Sequence, residues 1–384
     1  MICNICSNPL VNNIYSSGAM KSLTSLCRVY EGTTQVYFCH NCGHVQSSEI
    51  SNIDEYYDSE YDILIESDEE DQIYEIIDGE NIYRTQHQIK TILDKINLTS
   101  ATHILDYGCA KSSMMSALLN KVQNINAYLF DVSDRYISFW EKFLPSSNWA
   151  TYEMPSSWNE KFDVVVSFFS LEHMAHPKDA VQQIYKALKL NGVFYGVIPN
   201  TFSNPADMIV ADHVNHFTPT SLSYLLQSRG FELIELDEKS HRGAFIFVAK
   251  KLDHSVYNYI LPGNEISNIF NEAKKIAQRW NNSRQRINEF LQTIPEDAPL
   301  AIYGAGFYGA FILSSLPVTD RVKCIIDQNP FLHGKEMNGL NVRPPSQIPN
   351  NVYAVLVGLN PIYAKGIIRE ISDFSNSDFK FFFL

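Results

Sequence analysis

The chain lacks any apolar run long enough to cross a bilayer, and it is short of positive charge. Lys and Arg number 30 against 43 Asp and Glu in 384 residues, a formal net charge of −13. Such a surface repels duplex nucleic acid and anionic membranes overall, so neither is an expected partner. Nothing at the start reads as a secretory leader, because Met1-Ile2-Cys3-Asn4 runs directly into a cysteine pair. Cysteine is scarce as well: there are seven, an odd number, and a reducing cytoplasm is the expected compartment. There is no short-period repeat. What remains is ordinary globular usage, 45% hydrophobic and 19% charged, in a chain long enough for two or three cores.

Four of the cysteines form two doublets, Cys3-x-x-Cys6 and Cys39-x-x-Cys42. That spacing offers four thiolates to one tetrahedral Zn²⁺, and a full thiolate set leaves no open position for water. A structural zinc is expected, with the chemistry elsewhere. His40 and His44 flank the second doublet; either is an alternative ligand, although a polar role in the knuckle is the plainer expectation. Cys27, Cys109 and Cys324 read as small core residues. Residues 54–80 carry thirteen acidic groups interleaved with Tyr56, Tyr57, Tyr61 and Tyr74. This run reads as a solvated linker, with a lid over a ligand as the alternative.

The hydrophobic periodicity predicts a helix over 83–96 and then alternating strands and helices. Strands are expected over 103–108, 127–131, 162–169 and 193–198, and helices over 113–122 and 179–190, the latter closed by Asn191-Gly192. Thr218-Pro219-Thr220 caps a further helix ending at Arg229-Gly230, and 231–236 and 244–249 form a closing strand pair. A long connector helix follows from Ile266 to Leu291, and a second α/β unit begins at Leu300. The fold class is therefore α/β. The expected division is a zinc-binding unit (1–50), an acidic linker and helix (51–100), a doubly wound domain (101–250), a connector (251–299) and a C-terminal Rossmann-like domain (300–384).

Leu105-Asp106-Tyr107-Gly108-Cys109-Ala110-Lys111-Ser112 is a glycine turn between strand and helix, where backbone approaches a ligand closely and the helix N-terminus adds donors. Asp131, followed by Val132, ends the next strand and is placed to accept both hydroxyls of a ribose. These residues resemble the cofactor motif of class I S-adenosylmethionine-dependent methyltransferases, with Gly108 kept and Ala110 and Ser112 at the other two glycine positions. A right-handed backbone makes Ala cheap there, whereas a left-handed site penalises Ser by about 1–2 kcal/mol. Phe162–Ser167 with Ser170-Leu171-Glu172-His173, and Leu190–Phe194, look like the fourth and fifth strands of that family. The resemblance covers residues 100–250. It implies S-adenosylmethionine against Asp106, Gly108, Ala110, Asp131, Val132 and Ser170.

Asp212-His213-Val214-Asn215-His216-Phe217 follows the fifth strand, at the ligand-binding edge of a doubly wound sheet. An imidazole beside a carboxylate is a common general-base arrangement, so His213 with Asp212 is the expected base, His216 its competitor and His173 a third histidine on the same edge. Capping of the following helix is the plain alternative for Asp212 and His216. In order, a zinc knuckle, this domain and a second Rossmann-like unit resemble the sugar C-methyltransferases that act on nucleotide-linked keto-deoxysugars. That resemblance implies catalytic roles for His213 and His173 and cofactor contacts from Arg84 and His87. Asp212 stands where the family has Glu, His216 where it has a second Tyr, and Val210 where it has the first. O-methylation needs only a base near a hydroxyl and is the other reaction in view.

Ala301-Ile302-Tyr303-Gly304-Ala305-Gly306-Phe307-Tyr308-Gly309 is a full G-x-G-x-x-G between a strand and a helix, and Asp327 ends the next strand. The family resemblance implies that Gly304, Gly306, Gly309 and Asn360 hold the nucleotide end of the substrate, between the two α/β units. Tight packing of the turn is the plain alternative. An NAD-dependent oxidoreductase and a non-catalytic sugar-nucleotide-binding protein are the rival functions.

Overall fold

In the computed structural model, which describes residues 1–18, 21–50, 56, 71–77, 80–253, 263–374 and 378–384, the regular structure of the first unit is short strands. It contains β1 (Asn13–Ser16), β2 (Lys21–Leu23), β3 (Val29–Glu31), β4 (Gln35–Phe38) and β5 (Val45–Ser47). β2 and β3 pair with each other, and β1, β4 and β5 make an antiparallel sheet. With few apolar residues, the unit buries them against its neighbours. Cys3, Ile5 and Leu10 share a core with Leu222 and Leu225, while Tyr15, Val36 and Phe38 share another with Ile276, Trp280 and Phe311. Of the acidic stretch 54–80, only Tyr56, 71–77 and Glu80 are described, and the expected lid or linker falls largely outside them. The antiparallel strands β6 (Ile73–Ile77) and β7 (Glu80–Tyr83) lead into helix α1 (Arg84–Lys95), whose Ile89 and Ile92 are buried.

The near-continuous apolar run 162–168 becomes the centre of a seven-stranded sheet. Its members are β8 (His103–Tyr107), β9 (Asn126–Asp131), β10 (Trp149–Thr151), β11 (Phe162–Phe168) and β12 (Leu188–Pro199). After the two-residue β13 (Asn215–His216), β14 (Phe231–Asp237) and β15 (Ala244–Lys251) complete it. The order is β10-β9-β8-β11-β12-β15-β14, parallel except for β15, which runs antiparallel to both neighbours. Parallel strands covered on both faces require such apolar runs. Helices α2 (Ser113–Lys121), α3 (Pro177–Ala187) and α4 (Pro219–Gln227) connect them, and Thr218 caps α4 by accepting the Ser221 amide at 3.1 Å. The helix expected to stop at Asn191-Gly192 stops at Ala187 instead. Leu188 already pairs with Phe162, and Asn191 lies within β12 at φ 65°, beside a register shift.

The chain then runs through the long helix α5 (Gly263–Gln292) to β16 (Leu300–Tyr303), α6 (Phe307–Ser315), β17 (Val322–Ile326), β18 (Glu336–Met337), β19 (Leu340–Arg343), β20 (Ala354–Val357), α7 (Ala364–Glu370) and β21 (Lys380–Phe383). These strands order as β18-β19-β17-β16-β20-β21 and are parallel except for β18. One connection bears directly on the site. β13, in the loop after β12, pairs with β5, so the loop that carries His213 and His216 is a strand of the N-terminal sheet.

Candidate active site

The four paired cysteines converge. Cys3 and Cys42 sulfurs lie 3.6 Å apart, Cys6 and Cys39 sulfurs 3.4 Å apart, and all four lie within 4.8 Å of one another without disulfides. His44 is fully buried and bonded to Ser221 and Asn215 at 3.3 Å each, and burial pushes its pKa down to about 3. It is a neutral strut between the N-terminal unit and α4. His40 packs against Phe38 and Phe270.

A cleft of about 850 Å³ opens at the carboxyl ends of β8, β9 and β11. At one end the turn after β8 has Gly108 at φ 71°, Ala110 at 44° and Ser112 at 56°. All three motif positions are left-handed, including the two that are not glycine, each at a cost of about 1–2 kcal/mol. Local bonds hold the strain. Asp131 accepts the Ala110 amide at 2.7 Å, Trp140 donates to the Ala110 carbonyl at 2.7 Å, and Ser112 donates its hydroxyl to Asp106 at 2.6 Å. Burial raises Asp106 to about 7, against the pull of Ser112, and raises Asp131 to about 6. A Cβ on Gly108 would lie 2.0 Å from the Ser170 hydroxyl, so only glycine fits. Asp131 also accepts the Ser133 amide at 3.1 Å, and lone pairs remain on its two oxygens for a diol. Val132 stands 61% exposed at the rim.

The other end holds Glu172, His173 and His213, which offer one ligand atom each within 4.8 Å of one another. The His173 and His213 rings meet edge to face at 4.6 Å. The carboxylate beside His213 is Asp207, not the expected Asp212: His213 Nδ1 lies 2.6 Å from one Asp207 oxygen and His216 Nδ1 2.8 Å from the other. Thr201 adds a third bond to Asp207 at 2.5 Å. Burial works against charge on Asp207, yet the two histidines hold it well below the usual carboxylate range. Burial likewise disfavours a charged His213, and Asp207 overrides it, lifting His213 to about 9. His173 is lowered by burial and by the neighbouring His213. Two adjacent imidazoles are thus pushed apart, one neutral and one protonated.

Asp212 does not itself line the cleft, and its carboxylate lies 3.8 Å from His173 Nδ1, behind the lining residues His173 and Ser25. Its carboxylate accepts the Ser25 amide at 2.7 Å, the Ser25 hydroxyl at 2.6 Å and the Tyr56 hydroxyl at 3.3 Å, while its backbone carbonyl lies 3.0 Å from His173 Nδ1. His216 is fully buried behind Asp207, with Nε2 on the Ser47 hydroxyl at 2.8 Å, and it does not line the cleft. It positions Asp207; a reacting position is closed to it by burial. Of the expected cofactor contacts, Arg84, Asp106, Gly108, Ala110, Asp131, Val132 and Ser170 all line the cleft. His87 does not. It stacks on Tyr74 at 3.8 Å and lies 2.8 Å from the Ser240 carbonyl, and His241 takes the lining position. The sequence reading missed Asp207, Glu172 as a cleft residue, and His241. Glu172 lay inside a quoted motif, whereas no local signal marked the other two.

The second glycine turn is separate. Among the described residues, none beyond Gly243 lines the cleft, so Gly304, Gly306, Gly309 and Asn360 are not part of it. A Cβ on Gly304 would lie 2.4 Å from the Gly358 carbonyl, and one on Gly309 1.9 Å from the Gly304 carbonyl. Close backbone packing accounts for both. Gly306 is exposed with open space around it, and Asn360 accepts the Ile362 amide at 3.1 Å. Asp327 accepts the Ala305 and Asn329 amides at 2.8 Å each, the same use of a strand-end aspartate as at Asp131.

Residues 79–236 match the family described as "Methyltransferase domain". The chain carries a class I S-adenosylmethionine-dependent methyltransferase domain. Its cleft is the one just described, and the match ends inside β14. No curated protein matches the chain. Solved structures similar to it include an S-adenosylmethionine-dependent methyltransferase from Mesorhizobium loti (13% identity, 43% of this chain and 98% of that one, TM-score 0.36). Another is a SAM-dependent methyltransferase from Aquifex aeolicus (15%, 43% and 89%, 0.36). A third is human N-acetylserotonin methyltransferase in complex with SAM (15%, 43% and 52%, 0.36). Likenesses this distant carry no functional weight. The methyltransferase turn fits its cofactor on local grounds: three left-handed residues, a buried acid at the next strand end, and a volume within the range of small-molecule sites. The oxidoreductase alternative is not favoured.

Proposed function

We propose that the chain methylates a small acceptor, a nucleotide-linked or otherwise activated sugar, at carbon or oxygen, using histidine acid–base chemistry. One observation carries this reading: the strained turn with Asp131 and the Glu172–His173–His213 cluster line a single cleft. The sugar rests on the resemblance of domain order. The four-cysteine cluster is read as a structural zinc site, because its donor set and spacing suit that ion. Neither nucleic acid nor a membrane is a proposed partner, and no described helix is long and apolar enough to cross a membrane. A cytoplasmic setting is part of the same reading.

Asp131 would hold the ribose diol of the cofactor, with Gly108, Ser170 and Arg84 as the adjoining walls; the amides of Gly108, Cys109, Ala110 and Ser112 are already bonded within the fold. Bound S-adenosylmethionine supplies an already activated methyl group. The chain's own task is then placement and proton handling. The Nδ1 of His173 faces a carbonyl and therefore bears hydrogen, which leaves the basic lone pair on Nε2. His173, kept neutral, accepts the proton from the acceptor's hydroxyl or from the carbon beside its ketone. His213, protonated and held by Asp207, offsets the negative charge that develops. These roles exchange the expected ones, because Asp207 makes His213 too basic to lack a proton at neutral pH. Calorimetry of Asp131→Ala should show S-adenosylmethionine binding weakened at least about tenfold, the loss of roughly one charge-assisted hydrogen bond. Unchanged affinity refutes the cofactor site. With nucleoside-diphosphate keto-deoxysugars as acceptors, His173→Ala should lower turnover about 10²–10⁴-fold with cofactor affinity retained.

A further inference from the structure

We propose that Glu172 is a further catalytic residue: its carboxyl group, in the un-ionised form, donates a hydrogen bond to the oxygen of the methyl acceptor at the point enclosed by Glu172, His173 and His213. The inference rests on the methyl-transfer reading above. It narrows the acceptor to compounds whose reacting group includes oxygen, a hydroxyl or a carbonyl beside an acidic C–H.

Glu172 follows β11 in the short turn Leu171–His173 and is 1% exposed. Among the described residues neither carboxyl oxygen, both buried, has a hydrogen-bond partner, yet the residue lines the cleft. A buried carboxylate with nothing to pair it is costly, so the group either keeps its proton or meets a ligand. Burial, helped by Asp207, outweighs His213, the residue's own backbone amide and Arg84, which favour ionisation, and raises Glu172 to about 8. It therefore holds a proton at neutral pH and has a donor to offer. An acceptor oxygen between the three side chains would meet the imidazolium of His213, the Glu172 hydroxyl and the basic nitrogen of His173. Two cationic groups, Arg84 and His213, already act electrostatically on Glu172. A divalent cation is for that reason a less favourable occupant than a polar oxygen.

The proton balance is closed. His173 takes the proton lost by the acceptor. The resulting alkoxide or enolate oxygen is stabilised by the hydrogen bonds from Glu172 and His213, which both keep their protons. The electron pair of the nucleophilic oxygen or carbon forms the new bond to methyl as the sulfonium–methyl bond breaks.

The test uses full-length, zinc-loaded protein, S-adenosylmethionine and nucleoside-diphosphate keto-deoxysugars, with released S-adenosylhomocysteine as the readout. Glu172→Gln keeps a donor of the same shape and should stay within about fivefold of wild type. Glu172→Ala should lose about 10²–10³-fold, as does removal of a donor to a developing oxyanion. The wild-type rate should fall as pH passes about 8, whereas the Gln variant should hold its rate until His213 loses its proton near pH 9. Independently of turnover, the infrared difference between wild type and Glu172→Gln should contain a protonated carboxyl band at pH 7 that disappears above about pH 9. Absence of that band, or a Gln variant as inactive as the Ala variant, overturns the proposal. So does a second metal ion per chain that Glu172→Gln removes while the four-cysteine ion stays. If no sugar turns over but the band is present, the sugar reading fails, and the same variant comparison on simple hydroxyl and keto acceptors decides the role of Glu172.

Discussion

Ala110 and Ser112 both sit where glycine is usual, and they differ in what the side chain returns. Ala110 at φ 44° gains nothing from its methyl group. Ala110→Gly is expected to stabilise the protein by about 0.5–1 kcal/mol, seen as a higher thermal midpoint. Ser112 at φ 56° donates to Asp106, which is buried with no second side-chain donor among the described bonds. Ser112→Gly relieves the backbone but orphans that carboxyl, and a net loss of about 1–2 kcal/mol is expected from the same melts. The motif reading identified these positions correctly as a turn, but it could not tell that left-handed geometry survives without glycine. The reason is tertiary: the Trp140 and Asp131 bonds that pin Ala110 come from elements beyond the turn.

The element that ties the molecule together is β13, two residues long. It joins the N-terminal sheet through Asn215↔Gln46 and His216↔Val45, and Ser47 receives one face of His216 while Asp207 receives the other. The cysteine cluster closes the ends of the same unit. Removing the proposed zinc, by chelation or by Cys39→Ser, should therefore lower turnover through Asp207 and His213 while leaving cofactor affinity near wild type. A parallel fall in both would show that the cluster supports the whole fold. At the second glycine turn, Gly309→Ala forces a methyl group into the Gly304 carbonyl and should destabilise by about 1–3 kcal/mol in thermal melts, with cofactor binding unchanged. Most of the strands and helices expected from periodicity lie within a few residues of their observed positions, but the short strands β1–β7, β10 and β13 carried no such signal. The early end of α3 was not legible either, because Leu188 leaves the helix to pair with Phe162, a choice that local propensity does not encode.

Over the whole molecule, the buried histidine–carboxylate network sets a direction for pH. His213 is raised above its unfolded value, so its contribution is complete below about pH 6.5 and is lost as pH rises through about 9. Glu172 is also raised, and its stability effect has the same sign over about pH 4.5 to 8. Asp207 is lowered, and its contribution is present above about pH 4 and fails only in strong acid. The thermal midpoint should therefore decline from about pH 6.5 to 9, and His213→Gln should flatten the upper part of that decline. The sequence by itself determined the alternation of strands and helices, the four-thiol cluster, the turn at Gly108 and the acid at Asp131, because each is written in local spacing. The tertiary structure alone decided which carboxylate meets which histidine, that His216 and His87 stay out of the cleft, and that the second glycine turn lies apart from it. Those outcomes depend on which distant segments are brought within hydrogen-bond reach, and adjacency in the chain does not report it.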